Sequence, residues 1–247
     1  MAQAQNDRPE QADLASVAFP TLDLDHSTAD QIYQGLKAAI LSTSLPPGCL
    51  VSEQEIGMRF GASRTPVREA FQRLRGEGLI VTRPSRGNFV SHLSEHRIRE
   101  AQYIREALEL ANVRRLCEVG LSDEATRALQ ETLAAQERAI AEGDDLRFQE
   151  QDDRFHALIA RASGYARAES LLVQEKSALD RLRVLSLNEV HHSTRLLGEH
   201  RRVLAAILKQ DRAEADDAMR DHLRSILAVL SGLINDNREF FEDGSAA

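Results

Sequence analysis

Apolar residues recur at helical spacing through most of the chain. Ile32, Leu36, Ala39 and Ile40 share one face of Ala29–Leu41, the three-and-four spacing of an amphipathic helix. Leu45-Pro46-Pro47-Gly48 ends that helix, because proline cannot continue it and glycine permits the turn. Ser52-Glu53-Gln54-Glu55 reads as a capping box opening a short helix to about Phe60. Gly61-Ala62 supplies a turn, and Ser63 caps a second helix in which Pro66 is tolerated within the first turn. Val67, Ala70, Phe71 and Leu74 form the inner stripe of that helix, which runs to about Glu77 and stops at Gly78. The period then changes. Leu79–Thr82 and Asn88–Ser91 read as two short strands joined by Arg83-Pro84-Ser85-Arg86-Gly87, which carries hairpin turn chemistry.

After about Ser94 the pattern is helical to the end, with breaks near Gly120–Asp123, Gly143-Asp144, Ser163-Gly164, His191–Thr194 and Gln210-Asp211. That gives about six helices without a strand pattern, which pack naturally as a bundle. The fold class expected is mostly α, with an N-terminal winged helix-turn-helix followed by an all-α helical bundle. Residues 1–26, rich in Gln, Ala, Asp and Pro, are expected to form a disordered tail. The winged module then occupies 27–92 and the bundle 95–240.

Composition agrees with a helical protein: 247 residues, 42% hydrophobic, 28% charged, 4% aromatic and without tryptophan. No apolar run approaches the roughly 20 residues of a membrane span, and the N-terminus lacks a charged-then-apolar signal. A cytoplasmic protein is expected. Cys49 and Cys117 fall in different domains and in no metal or redox spacing.

Net charge of −8 argues by itself against a nucleic-acid binder, but it hides an asymmetry. Val51–Val90 holds seven arginines against four glutamates, a net of +3 that leaves −11 for the rest. A basic segment on an acidic body suits a small module that meets phosphates. Arg64, Thr65, Arg68, Gln72 and Arg75 lie outside the apolar stripe of the second helix, the first three crowded at its N-terminal end. A recognition helix enters the major groove by that end, where arginine reads guanine and free amides meet phosphate. Arg64 and Arg68, one turn apart, are candidates for base reading or phosphate clamping. Ser63 and Thr65 are candidates for backbone contact, and Gly87 would allow the wing a close approach to DNA.

The acidic half holds a second pattern. Asp152 and His156 are four apart on a helix whose apolar face carries Phe148, Phe155 and Ile159, so both point inward. His200 heads the stripe Val203, Leu204, Ile207, Leu208, and His222 falls among Ala215, Met219, Ile226, Val229 and Leu233. Three inward imidazoles and a carboxylate are costly unless each is separately hydrogen-bonded or all converge on a cation. Three nitrogens and one oxygen suit Zn, Ni, Mn or Fe. His26, His92, His96, His191 and His192 lack such placement and are expected at the surface or in loops. Arg181 and Arg183 lie on a helix without a clear inner face.

Pro47-Gly48-Cys49-Leu50-Val51-Ser52-Glu53, Ser63-Arg64-Thr65-Pro66-Val67-Arg68-Glu69-Ala70, Glu77-Gly78-Leu79-Ile80 and Gly87-Asn88-Phe89-Val90 together resemble the N-terminal domain of GntR-family regulators. The resemblance implies that Gln54, Arg64, Thr65, Arg68 and Gly87 sit where the family contacts operator DNA, with Gln54 standing where some members carry arginine. Asp152-Asp153-Arg154-Phe155-His156, Glu199-His200-Arg201 and Asp221-His222-Leu223 resemble the FCD domain, the effector domain of the family's FadR branch, in its shorter VanR-like form. That resemblance implies a bundle cavity in which a metal helps bind a small carboxylate. It also places Arg105 at an arginine near the start of the first FCD helix, either facing the cavity to grip a carboxylate or paired at the surface.

The function expected is a homodimeric transcription regulator on double-stranded operator DNA, its affinity set by a small organic acid bound beside a divalent metal. The stretch near Ser91–Glu95 is the expected hinge. Two rivals fit the same residues. One is a metalloenzyme using Asp152, His156, His200 and His222, for which Glu150 or Glu199 would have to serve as base without an evident inward position. The other is an architectural DNA-binding protein with a structural metal.

Overall fold

The computed structural model describes residues 25–186 and 192–242, together with Leu14, Val17 and 19–23. The chain forms two compact units, residues 1–95 with 236–247, and residues 96–235.

The first unit opens with α1 (Thr28–Leu41), capped by Ser27, whose hydroxyl accepts from Asp30 N. α2 (Glu53–Phe60) starts where the Ser52 hydroxyl accepts from Glu55 N, and ends at Gly61 in the left-handed conformation. α3 (Arg64–Gly76) buries Val67, Ala70, Phe71 and Leu74, the stripe expected from the pattern. Gly78, at φ 71°, turns the chain out of it, with Leu79 N donating to Leu74 O. β1 (Ile80–Arg83) and β2 (Gly87–Val90) pair antiparallel with Ile80 opposite Val90 and Arg83 opposite Gly87. Residues 48–51 run along the other edge of β2, where Val51 N donates to Asn88 O and Val90 N to Cys49 O. The wing thereby gains a third strip of backbone pairing.

Two expectations change here. Ser63 does precede α3 in an extended conformation, but its side chain makes no capping bond. The third residue of the helix is Pro66, which has no N–H for the hydroxyl to accept from. The end of the supposed tail is packed: Val17 is buried with the α1–α3 core, and the Phe19 ring lies 5.0 Å from that of Phe60. These apolar side chains find a groove between α1 and α2 that an unpacked tail would leave wet. Residues 1–13, 15, 16, 18 and 24 of the expected tail lie outside the described residues.

The described residues of the second unit form six helices: α4 (Glu95–Val119), α5 (Asp123–Glu142), α6 (Asp145–Ala162), α7 (Ala166–Ser186), α8 (His192–Leu208) and α9 (Arg212–Asp236). Ser122 caps α5 and Asp144 caps α6 through side-chain bonds to Ala125 N and Arg147 N. Leu129, Phe148, Phe155, Ile159, Val203, Leu204, Met219 and Leu223 supply much of its core. A short 3-10 turn, Arg238–Phe240, follows α9 and belongs to the first unit. Among the described residues, no helix is long and apolar enough to cross a membrane.

Candidate metal centre and nucleic-acid interface

Within the bundle, α6 contributes Asp152 and His156, α8 contributes His200 and α9 contributes His222. All four are buried, and one ligand atom of each lies within 4.8 Å of the other three. His222 Nε2 is 3.1 Å from His156 Nε2 and 3.3 Å from His200 Nε2, while His200 Nε2 is 3.3 Å from Asp152 Oδ1. Atoms held about 2.1 Å from one ion stand roughly 3.0–3.4 Å apart, between octahedral and tetrahedral angles. The spacing fits.

Protonation sharpens the point. His156 Nδ1 donates to Glu109 on α4, His200 Nδ1 to Gln136 Oε1 on α5 at 2.8 Å, and His222 Nδ1 to Glu199 Oε2 on α8 at 2.9 Å. Carboxylate and amide oxygens only accept, so each Nδ1 carries the proton and each Nε2 presents a lone pair. Three lone pairs facing one another are acceptors without a donor. Asp152 Oδ2, also buried, has no hydrogen-bonded partner, although Arg183 Nη1 stands 3.0 Å away. An acceptor set of this kind is satisfied by a divalent cation, with Glu109, Gln136 and Glu199 fixing the rings.

The electrostatics keep the cluster in its ligating form. Burial, with the neighbouring His222, pushes the His200 imidazole down to about 3. Burial, partly opposed by Asp152, pushes His222 down to about 4, and burial with the Arg105 charge holds His156 well below its usual range. Burial disfavours the Asp152 carboxylate too, but Arg183 and then the imidazoles outweigh it and hold its pKa well below the ordinary value.

Beside the cluster, a cavity is lined by Arg105, Phe148, Gln149, Asp152, Arg183 and His222 among others. A second, lined by Arg105, Glu109, Asp153, His156, Lys176 and Arg183, adjoins it from α4, α6 and α7. Both guanidiniums therefore border both cavities. Arg105 is buried and bonded through Nε to Glu109, so the surface ion pair is excluded.

Several residues at the centre escaped the sequence pattern. Glu109 is completely buried and bridges Arg105 to His156. Arg183, expected to lack an inner face, reaches Asp152 and Asp153 at 3.0 and 3.1 Å, and Arg181 is also buried. His192, expected in a loop, is buried on the first turn of α8 and lines the first cavity. Glu199, expected to lack an inward position, holds the His222 ring. His191 lies outside the described residues.

On the first unit, Gln54, Ser63, Arg64, Thr65 and Arg68 are all exposed, Gln54 on the first turn of α2 and the others at the N-cap and first two turns of α3. Arg68 lies 3.6 Å from Glu53 and is otherwise open, its side chain 70% accessible. Arg73, by contrast, is engaged by Asp30 and stacks 3.8 Å above the Tyr33 ring. Gly87 has φ 111°, and a Cβ there would meet Leu50 Cδ1 at 2.8 Å. The wing itself thus accounts for the glycine.

A winged helix-turn-helix on the same chain as a helical bundle with a buried His/Asp centre is the build of a DNA-binding regulatory protein. Comparison with known proteins makes the class specific. Residues 28–90 match the family described as bacterial regulatory proteins, gntR family, and residues 100–225 match the FCD domain. The HTH-type transcriptional repressor RspR of Escherichia coli K12 is 33% identical over 213 residues, spanning 86% of this chain and 93% of its own length. The gluconate operon transcriptional repressor of Bacillus subtilis 168 is 30% identical over 192 residues, spanning 76% and 78%. The solved structure of E. coli McbR/YncC has the same fold, with a TM-score of 0.71, 22% identity, and coverage of 84% of this chain and 98% of that one. The chain belongs to the GntR family of bacterial regulatory proteins, carries an FCD domain, and is a transcriptional regulator.

The buried imidazoles give the metal-free protein a defined pH response. An unfolded histidine titrates near 6.5, so below that pH the unfolded chain takes up protons that His200 and His222 refuse. The unfolding midpoint of the chelated protein should hold above about pH 6.5 and fall steadily towards about pH 4. A double His200→Gln, His222→Gln variant should lose most of that slope in thermal scans. An unchanged slope in the variant would contradict the neutral state that burial imposes on these two rings.

Proposed function

We propose that the protein is a cytoplasmic, homodimeric repressor whose operator affinity is set by a small carboxylate bound beside a divalent transition metal. One observation carries the reading: three Nε2 lone pairs and a carboxylate converge in the buried interior next to the guanidiniums of Arg105 and Arg183. Asp152, His156, His200 and His222 would hold the ion, and bound there it would supply a Lewis-acidic position for a ligand oxygen. Arg105 and Arg183 stand ready to pair with the acid group. Glu109 holds Arg105 and His156 on one carboxylate, so a charge arriving at Arg105 is felt at the metal ligand.

On the other unit, a pair of recognition helices in a symmetric dimer would meet two half-sites. Arg64 and Arg68 would reach bases or phosphates, Gln54, Ser63 and Thr65 the backbone, and Gly87 would keep the wing close to it. The repressor sense is supported by the names of two relatives.

The test uses an operator selected by the protein from a random duplex pool, with gluconate and citrate as probe carboxylates. Zinc-loaded protein should change its operator affinity when one of the acids is added. The His200→Ala protein should bind the operator but no longer respond. Equal responses in both proteins, or none to any carboxylate in a wider panel, would favour an architectural role with a structural metal. In the same assay Arg68→Ala should weaken operator binding by roughly 1–3 kcal/mol. Unchanged affinity would remove Arg68 from the contact face.

A further inference from the structure

The stretch Ser91–Glu95, expected as a free hinge, has its central backbone groups engaged. Ser91 N donates to Leu79 O at 3.0 Å, tying it to the start of the wing. Leu93 N donates to Phe240 O at 2.8 Å, and Leu93 O accepts from Glu242 N at 2.8 Å. The result is a one-residue parallel bridge between Leu93 and Phe241, both of them buried. Phe241 comes from the C-terminal end, yet both partners belong to the first unit.

The chain crosses between the two units twice, at the start of α4 and at the end of α9. Those helices carry Arg105 and Glu109 on one side and His222 on the other. Inside the bundle they are tied along their length. Gln102 Nε2 donates to Leu223 O at 2.5 Å, Arg114 pairs with Asp216, and Arg224 pairs with Glu106. The bridge joins the two crossings just beyond the helix ends, three residues after the last residue of β2.

We propose that the Leu93–Phe241 bridge is a clasp that relays the state of the bundle centre to the wing. This rests on the reading of that centre as a metal and ligand site. A single covalent linker lets one unit turn without moving the other. A second strand closed across it removes that freedom, because a shift of α9 must then be taken up at Leu93 or break the two backbone hydrogen bonds of that buried residue. Ser91 passes the same displacement to Leu79 and so to the base of the hairpin. The C-terminal segment therefore does more than finish the chain: it makes the linker a two-stranded connection.

The test compares the full chain with two variants by hydrogen exchange, each stripped with chelator and then given zinc alone. One variant ends at Asp236. The other is Glu242→Pro, which removes one donor of the clasp while Phe241, at φ −102° and ψ 152°, already has the backbone that a following proline favours. In the full chain, zinc should slow exchange both in α8 and α9 and in residues 79–93. In both variants the slowing in α8 and α9 should persist and the slowing in 79–93 should be lost. An equal zinc response of 79–93 in all three proteins would overturn the clasp. A bundle response in the full chain without a wing response would overturn it as well, leaving the metal reading intact. No zinc response in the bundle of the full chain would overturn the metal reading and, with it, the relay.

Discussion

Three imidazole nitrogens that only accept, with His222 Nε2 standing 3.1 and 3.3 Å from the other two and a carboxylate beside them, are mutually repulsive in a buried interior. The surrounding helices hold them there all the same. Burial denies each ring the proton that would relieve the repulsion, since a charged imidazole loses more by desolvation than it gains from Asp152. The outer nitrogens are already committed to Glu109, Gln136 and Glu199. A cation among the four ligands resolves both constraints together, neutralising the carboxylate and accepting the lone pairs.

Much of the bundle follows from supporting that arrangement. Each imidazole needs a partner behind it, and the partners come from three different helices: α4, α5 and α8. Glu109 can be buried because Arg105 and His156 share its two oxygens. Asp152 can stay charged because Arg183, on α7, stands at its Oδ2 while His200 stands at Oδ1. All six helices thus place a side chain at the centre, and a change in what occupies it is felt in each of them. Among the described residues, the winged unit has no comparable buried polarity. Its core is apolar, and its charged side chains lie outside, with Arg68 open and Arg73 held by Asp30 and Tyr33.

The legibility of these parts differs for physical reasons. The stripe of α3 and the four ligand positions lie on helices with a clear apolar face, so periodicity alone pointed Val67, Leu74, His156 and His222 inward. α4 and α7 lack that contrast. α4 buries Gln102, Arg105, Glu109 and Asn112 among its apolar residues, and a glutamate on a helix is ordinarily solvated. The spacing of four from Arg105 to Glu109 was the available signal, and it reads equally well as a surface pair. His192 follows a break in the pattern, so no stripe assigned it a side. The Leu93–Phe241 bridge joins residues 148 positions apart in sequence. The paired Phe240 and Phe241, in a chain with 4% aromatics, were its only trace.

The claim that the cluster exists to hold a cation is tested most directly by anomalous diffraction from crystals of protein purified without chelator. The account predicts one transition-metal peak per chain, within bonding distance of Asp152 Oδ1 and the Nε2 atoms of His156, His200 and His222. A cluster without a metal peak, its rings turned so that each Nε2 finds a donor of its own, would contradict it.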